Sequence, residues 1–244
     1  MNKADHTPQA FKNKVIAHRG AFKNTGVPQN SIASLQAAIR LGCGGSEFDI
    51  HMTADSIPVI NHDHDLQGLN IESSTYKDLL GKSLSNGETI PTLEKYLEAG
   101  TGQTSTKLVA EIKPSKVSKE RSLALAQKVV SMDQSMGLSN QVVYISFDYD
   151  VLKKVKQLAP AASLQYLNGD VSAEQLKADG IDADYHYSIF QKNPQWIKNS
   201  RSMGVVVNSW TVNNPSLMDS LLAQQIDFIT TDEPELLLKK LSDR

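Results

Sequence analysis

The chain has 244 residues, 40% hydrophobic and 21% charged, with a formal net charge of -2. That suits one α/β domain with a substantial core, and the absence of any Lys/Arg run beyond two residues argues against a nucleic-acid-binding surface. No apolar stretch nears the roughly 20 residues of a membrane-spanning helix, and the one cysteine, Cys43, cannot close an internal disulfide.

Residues 1–13 are polar, lack the apolar segment of a signal peptide, and read as a flexible lead-in to a single domain over 14–244. The compartment is left open between cytoplasm and periplasm. Lys14 to Ala17 is a short apolar strand that runs into His18-Arg19-Gly20. Asn30 or Ser31 is the N-cap of a helix whose Ile32, Leu35, Ala38, Ile39 and Leu41 recur at helical spacing and which Gly42 stops. Cys43, flanked by glycines, reads as a small packed residue of a tight turn. Ser46 to Met52 is the second strand. Pro58 to Ile60 is a brief apolar run ending at His62-Asp63, Ser73 to Leu80 a short helix, and Pro91 opens a helix that ends at Gly100.

From there strands and helices alternate regularly. Strands are predicted at Leu108 to Pro114, Val142 to Phe147, Ser163 to Leu167, Asp182 to Tyr187, Val205 to Trp210 and Asp227 to Thr231. Helices are predicted at Lys119 to Met136, Asp148 to Leu158, Ser172 to Gly180, Pro194 to Met203, from Pro215, and Pro234 to Leu241. Eight strand-helix units in this length indicate an all-parallel (β/α)8 TIM barrel. A doubly wound sheet is the alternative, but neither a GxGxxG nor a Walker GK[ST] loop occurs. The segment from about 53 to 88 is too long for a βα loop and reads as a small insertion after the second strand, at the active-site face.

Alternation along a strand puts Glu47, Asp49 and His51 on one face and Phe48, Ile50 and Met52 on the other. The apolar set must meet the helices, so the carboxylates point into the barrel. The same reasoning turns Val109, Glu111 and Lys113 inward. Three inward carboxylates read either as a polar plug paired with Lys113 and Arg19 or as a site for a hard cation such as Mg²⁺ or Ca²⁺. Zinc is disfavoured, since no HExxH or CxxC motif is present. Three carboxylates, one divalent cation, Arg19 and Lys113 leave about one positive charge, which suits a phosphodiester monoanion. His18 and His62 at the same mouth supply a proton acceptor and a proton donor for cleaving such an ester.

The ordered set HRG (18–20), PQNS (28–31), EFD (47–49), HD (62–63), EIK (111–113), SF (146–147), WTVN (210–213) and TTDEP (230–234) resembles the glycerophosphodiester phosphodiesterase family across nearly the whole domain. The resemblance implies metal-dependent hydrolysis of small glycerophosphodiesters to glycerol 3-phosphate and an alcohol. It implies Glu47, Asp49 and Glu111 as cation ligands and His18 and His62 as the acid/base pair. Arg19 and Lys113 would contact phosphate, and Trp210 would form an apolar wall beside the glycerol or leaving group. Gln29 stands where the family usually has Glu, which exchanges one carboxylate at the mouth for an amide.

His64 competes with His62 for the second acid/base position, and His51, Tyr185 and His186 are lesser candidates. Asp63 either orients His62 or caps its loop. Two other functions compete: a phospholipase acting on intact lipids, and a non-catalytic barrel that binds phosphodiesters. Stable membrane insertion is not expected, and the oligomeric state is not legible in the sequence.

Overall fold

Eight short parallel strands alternate with helices in the computed structural model, which describes residues 11–243. The strands are β1 (Val15–Ala17), β2 (Gly45–Met52), β3 (Lys107–Ile112), β4 (Val142–Ser146), β5 (Ser163–Tyr166), β6 (Asp182–His186), β7 (Val207–Trp210) and β8 (Phe228–Thr231). Each pairs in parallel with the next, and β1 pairs with both β8 and β2, so the sheet closes. The covering helices are α1 (Ile32–Leu41), α2 (Leu93–Ala99), α3 (Lys119–Ser135), α4 (Tyr149–Leu158), α5 (Ala173–Asp179), α6 (Trp196–Ser202), α7 (Pro215–Ala223) and α8 (Pro234–Ser242). This is the TIM barrel that the alternation predicts.

Local chemistry sets the element ends. Ser31 caps α1 and exchanges hydrogen bonds with Ser34 in a capping box, while Gly42 closes the helix in the left-handed conformation at φ 75°. Buried Cys43 follows directly, its thiol pushed up to about 12 by burial, so it serves as packing. Alternation along β2 divides its side chains as expected. Phe48 and Ile50 join the layer between sheet and helices, where Phe48 packs 4.5 Å from Tyr96. Truncating so buried a ring costs about 3–5 kcal/mol. Inside the barrel, Ile16, Val109, Val143, Ile145 and Leu167 form an apolar cluster below the mouth.

Several expectations change. Residues 1–10 of the expected lead-in lie outside the described residues, while its last residues, Phe11 to Asn13, are tied to the barrel. The Phe11 ring lies 4.2 Å from that of Phe228, and Asn13 Oδ1 accepts from the main chain of Val15 and Gly44. Strand β6 ends at His186, where Tyr187–Lys192 turns into a helix that buries Phe190. Strand β7 begins at Val207 instead of Val205, because the Val205 N–H donates to Ser200 at the end of α6 and the Val206 N–H donates to Asp182. Both donors are spent before the ladder begins.

The segment after β2 has a small core of its own. Pro58–Ile60 pairs antiparallel with the end of β2, and a hairpin of Asp65–Leu66 and Leu69–Asn70 follows. The predicted helix from Ser73 shrinks to the single turn Tyr76–Leu79, capped by Thr75. Val59, Leu66, Ile71, Leu79 and Ile90 pack together beneath it, which fixes the loop carrying His62. Among the described residues, no helix is long and apolar enough to cross a membrane.

Candidate active site

The HRG turn leaves the end of β1 with Arg19 and Gly20 in the left-handed region, at φ 53° and 78°. A Cβ at Gly20 would collide with Ser34 at the start of α1, so only glycine permits the approach. The reversal points the Arg19 N–H at Glu47 Oε2, 2.7 Å away. His18 Nε2 stands 4.0 Å from the same oxygen.

Glu47 and Asp49 from β2 and Glu111 from β3 offer carboxylate oxygens that all lie within 4.8 Å of one another. Register brings this about, since Asp49 is directly opposite Glu111. Lys113 bridges the pair, its ammonium 2.7 Å from Asp49 Oδ1 and 2.8 Å from Glu111 Oε1. Asn30, at φ 53°, grips Asp49 from behind: its amide donates to Oδ2 at 2.7 Å and its carbonyl accepts from the Asp49 N–H at 3.1 Å. The Arg19 guanidinium lies 3.8 Å from Asp49 and also donates to Gln29 at 2.8 Å. The amide that replaces the family's usual acid therefore holds the arginine.

Electrostatically the three carboxylates are unequal. Burial pushes Asp49 up, but Lys113 and the Asn30 hydrogen bond outweigh it and hold the group at about 2. Burial and the neighbouring Asp49 and Glu111 charges push Glu47 well above the ordinary range. Glu111 rises to about 7, chiefly through burial and Asp49. Glu47 Oε1 is buried without a hydrogen-bond partner. An oxygen-rich cluster with surplus negative charge and an orphaned oxygen fits a hard divalent cation, which would relieve both.

Both histidines are gripped at Nδ1. The His18 Nδ1–H donates to Asp232 Oδ1 at 2.7 Å, and His62 Nδ1 lies 2.7 Å from Asp63 Oδ1. Asp63 therefore touches the His62 ring, while Asn61 binds the loop carbonyls of Asp63 and Asp65. Burial lowers the His62 pKa, and Asp49 only partly offsets that. His64 instead packs edge-on against His51, with ring centroids 4.7 Å apart.

A cavity of about 120 Å³ at this mouth is lined by His18, Arg19, Glu47, His62, Glu111 and Lys113 on one side. Ile145, Phe147, Leu167 and Trp210 line the other, with Asp184, Thr211 and Thr230. Every site residue expected from the sequence lines it except Asp49, which stands just behind Lys113. The Trp210 indole donates to the Asp184 carbonyl at 2.9 Å and meets Phe147 edge-on. Tyr185 points outward, its hydroxyl donating to Val171, and His186 backs onto Trp210. A larger groove of about 710 Å³ beside α6 and α7 has no comparable set, since its Arg201 is paired with Asp227.

Sequence reasoning assigned no role to Asp232 or Asp184. Asp232 directly follows β8 as His18 follows β1, and that position is the available signal. Asp184 sits inward on β6, and alternation from Asp182 would have marked it.

A sequence model of the glycerophosphoryl diester phosphodiesterase family matches residues 18–236. A glycerophosphodiester phosphodiesterase of Caldanaerobacter subterraneus subsp. tengcongensis is 28% identical over 242 residues, covering 93% of this chain and 97% of its own. The crystal structure of a glycerophosphodiester phosphodiesterase from Parabacteroides distasonis is 43% identical and superposes with a TM-score of 0.92, covering 97% of this chain and 99% of its own. An Oleispira antarctica phosphodiesterase, solved in complex with the product sn-glycerol-3-phosphate, is 28% identical with a TM-score of 0.80, covering 94% and 96%. The chain thus belongs to the glycerophosphoryl diester phosphodiesterase family and is a phosphoric diester hydrolase of that kind.

Proposed function

We propose that this enzyme hydrolyses small glycerophosphodiesters to glycerol 3-phosphate and an alcohol, with His18 and His62 as its acid/base pair and Glu47, Asp49 and Glu111 holding one Mg²⁺ or Ca²⁺. The observation that carries this reading is the pairing of two Nδ1-anchored imidazoles with a three-carboxylate cluster at one small cavity, which Glu47 and Glu111 line and Asp49 backs. A cation bound there supplies Lewis-acid polarisation of the phosphoryl oxygens. The product complex of the Oleispira antarctica protein supports the product named here.

The chain's own groups divide the remaining work. Arg19 and Lys113 offset the phosphate charge, and the planar guanidinium suits two phosphate oxygens at once. With each Nδ1 engaged by a carboxylate, Nε2 is the nitrogen that exchanges protons. One imidazole accepts the proton of the attacking oxygen, and the other donates a proton to the departing alkoxide. The pair serves equally for attack by water or by the substrate's neighbouring hydroxyl. Trp210 and its apolar neighbours face the carbon skeleton and exclude solvent from that side.

Turnover of glycerophosphocholine and glycerophosphoethanolamine by the purified protein, read as glycerol 3-phosphate released, tests the proposal. Excess EDTA should abolish it, with recovery on adding Mg²⁺ or Ca²⁺. His18→Ala and His62→Ala should each lower kcat by about 10²–10⁴-fold. Undiminished turnover in either variant, or in EDTA, would sink the assignment.

A further inference from the structure

His18, Arg19 and Lys113 directly follow barrel strands, and Glu47, Asp49 and Glu111 lie within them. His62 comes from the insertion, and so needs other means of registration. Its main chain is tied to β2 at two points. The Asn61 N–H donates to the Asp49 carbonyl at 3.1 Å, and His51 Nε2 lies 3.1 Å from the His62 carbonyl. A carbonyl only accepts, so His51 carries its proton on Nε2 and donates it.

We infer that His51 is a positioning residue, whose buried imidazole fastens the His62 main chain and thereby sets where the His62 ring stands over the carboxylates. The inference rests on the proposed role of His62 in proton transfer. His51 lies two positions beyond Asp49 on the inward face of β2, is only 2% exposed, and does not line the cavity. It reaches substrate only through His62. Its other ring contact, edge-on to His64, braces it from the insertion side. Packing alone would accept an apolar ring at this depth, whereas a donor at this spot has one evident use.

The test is steady-state kinetics with glycerophosphocholine on His51→Phe, His51→Gln, His62→Ala and the His51→Phe/His62→Ala double variant, with circular dichroism to verify folding. Displacing a proton-transfer group by about an ångström costs on the order of a hundredfold, so His51→Phe should lower kcat by roughly 10–100-fold with KM within about twofold. His51→Gln, which keeps an N–H donor, should recover most of that loss. In the His62→Ala background His51→Phe should cost nothing further, because the ring it positions is gone. An equal loss in both backgrounds, or a folded His51→Phe enzyme with unchanged kcat, overturns the inference while leaving His62 in its role. Unchanged kcat in His62→Ala overturns the role of His62 and the inference together.

Discussion

Replacing Asp232 with Asn tests whether His18 works through one defined tautomer. Asn213 Oδ1 accepts from the Asp232 N–H at 2.9 Å and from the Thr231 hydroxyl at 3.1 Å. Its amide nitrogen therefore faces Asp232 Oδ2, to which it donates at 2.6 Å. In Asp232→Asn that donor demands the new amide oxygen, leaving the new NH₂ to face His18 Nδ1. His18 must then accept at Nδ1 and carry its proton on Nε2, the reverse of the arrangement in which Nδ1–H donates to Asp232 Oδ1. Loss of one correctly protonated acid/base group predicts a kcat lower by about 10²–10³-fold, or roughly 3–4 kcal/mol in barrel-mouth chemistry. The side chain stays isosteric, so KM and the unfolding temperature should barely move. Glycerol 3-phosphate release at saturating substrate and metal measures the effect. Adding Asn213→Asp gives the amide NH₂ an acceptor, lets its oxygen turn back to His18, and should restore part of the rate. Asp232→Asn with kcat within about twofold of the parent would refute the tautomer argument.

Glu47→Gln keeps an oxygen for the Arg19 N–H but removes one of three crowded charges. Divalent-cation affinity by calorimetry should fall on the order of a hundredfold. The metal-free protein should unfold about 2–4 °C higher for each ~1 kcal/mol of repulsion relieved. Unchanged affinity would remove Glu47 from the ligand set. At the opposite end of the barrel, Asp182 accepts from the Val206 N–H at 2.9 Å, yet burial pushes its pKa from 3.8 to about 6. The folded state holds this proton more tightly than the unfolded state, so the contribution to stability is full below about pH 4 and is lost as pH rises through about 6. Asp182→Asn keeps the acceptor without the charge. Its stability relative to the parent should climb by about 2–3 kcal/mol between about pH 4 and pH 7 in urea unfolding. A gap independent of pH would contradict this account.

The division between sequence and tertiary structure follows from the range of the forces involved. Period-two alternation is local, so the inward direction of Glu47, Asp49 and Glu111 was legible from β2 and β3 alone, as was the barrel from eight alternating units. Capping is local too, and Ser31 and Gly42 bound α1 as expected. The start of β7 was not legible, because the Ser200 carbonyl of α6 and the more distant Asp182 carboxylate claim the Val205 and Val206 donors, and the end of β6 was not, because the chain turns there into the helix Tyr187–Lys192. Nor were the partners of the histidines. Asp232 is 214 residues from His18 and reaches it only because β8 closes the barrel against β1. Lys113 bridges two carboxylates because parallel register sets Asp49 opposite Glu111. Residue types and strand faces are properties of the chain. Which group grips which is decided by closure of the sheet, since hydrogen bonds of about 3 Å depend on positions that only the packed barrel defines.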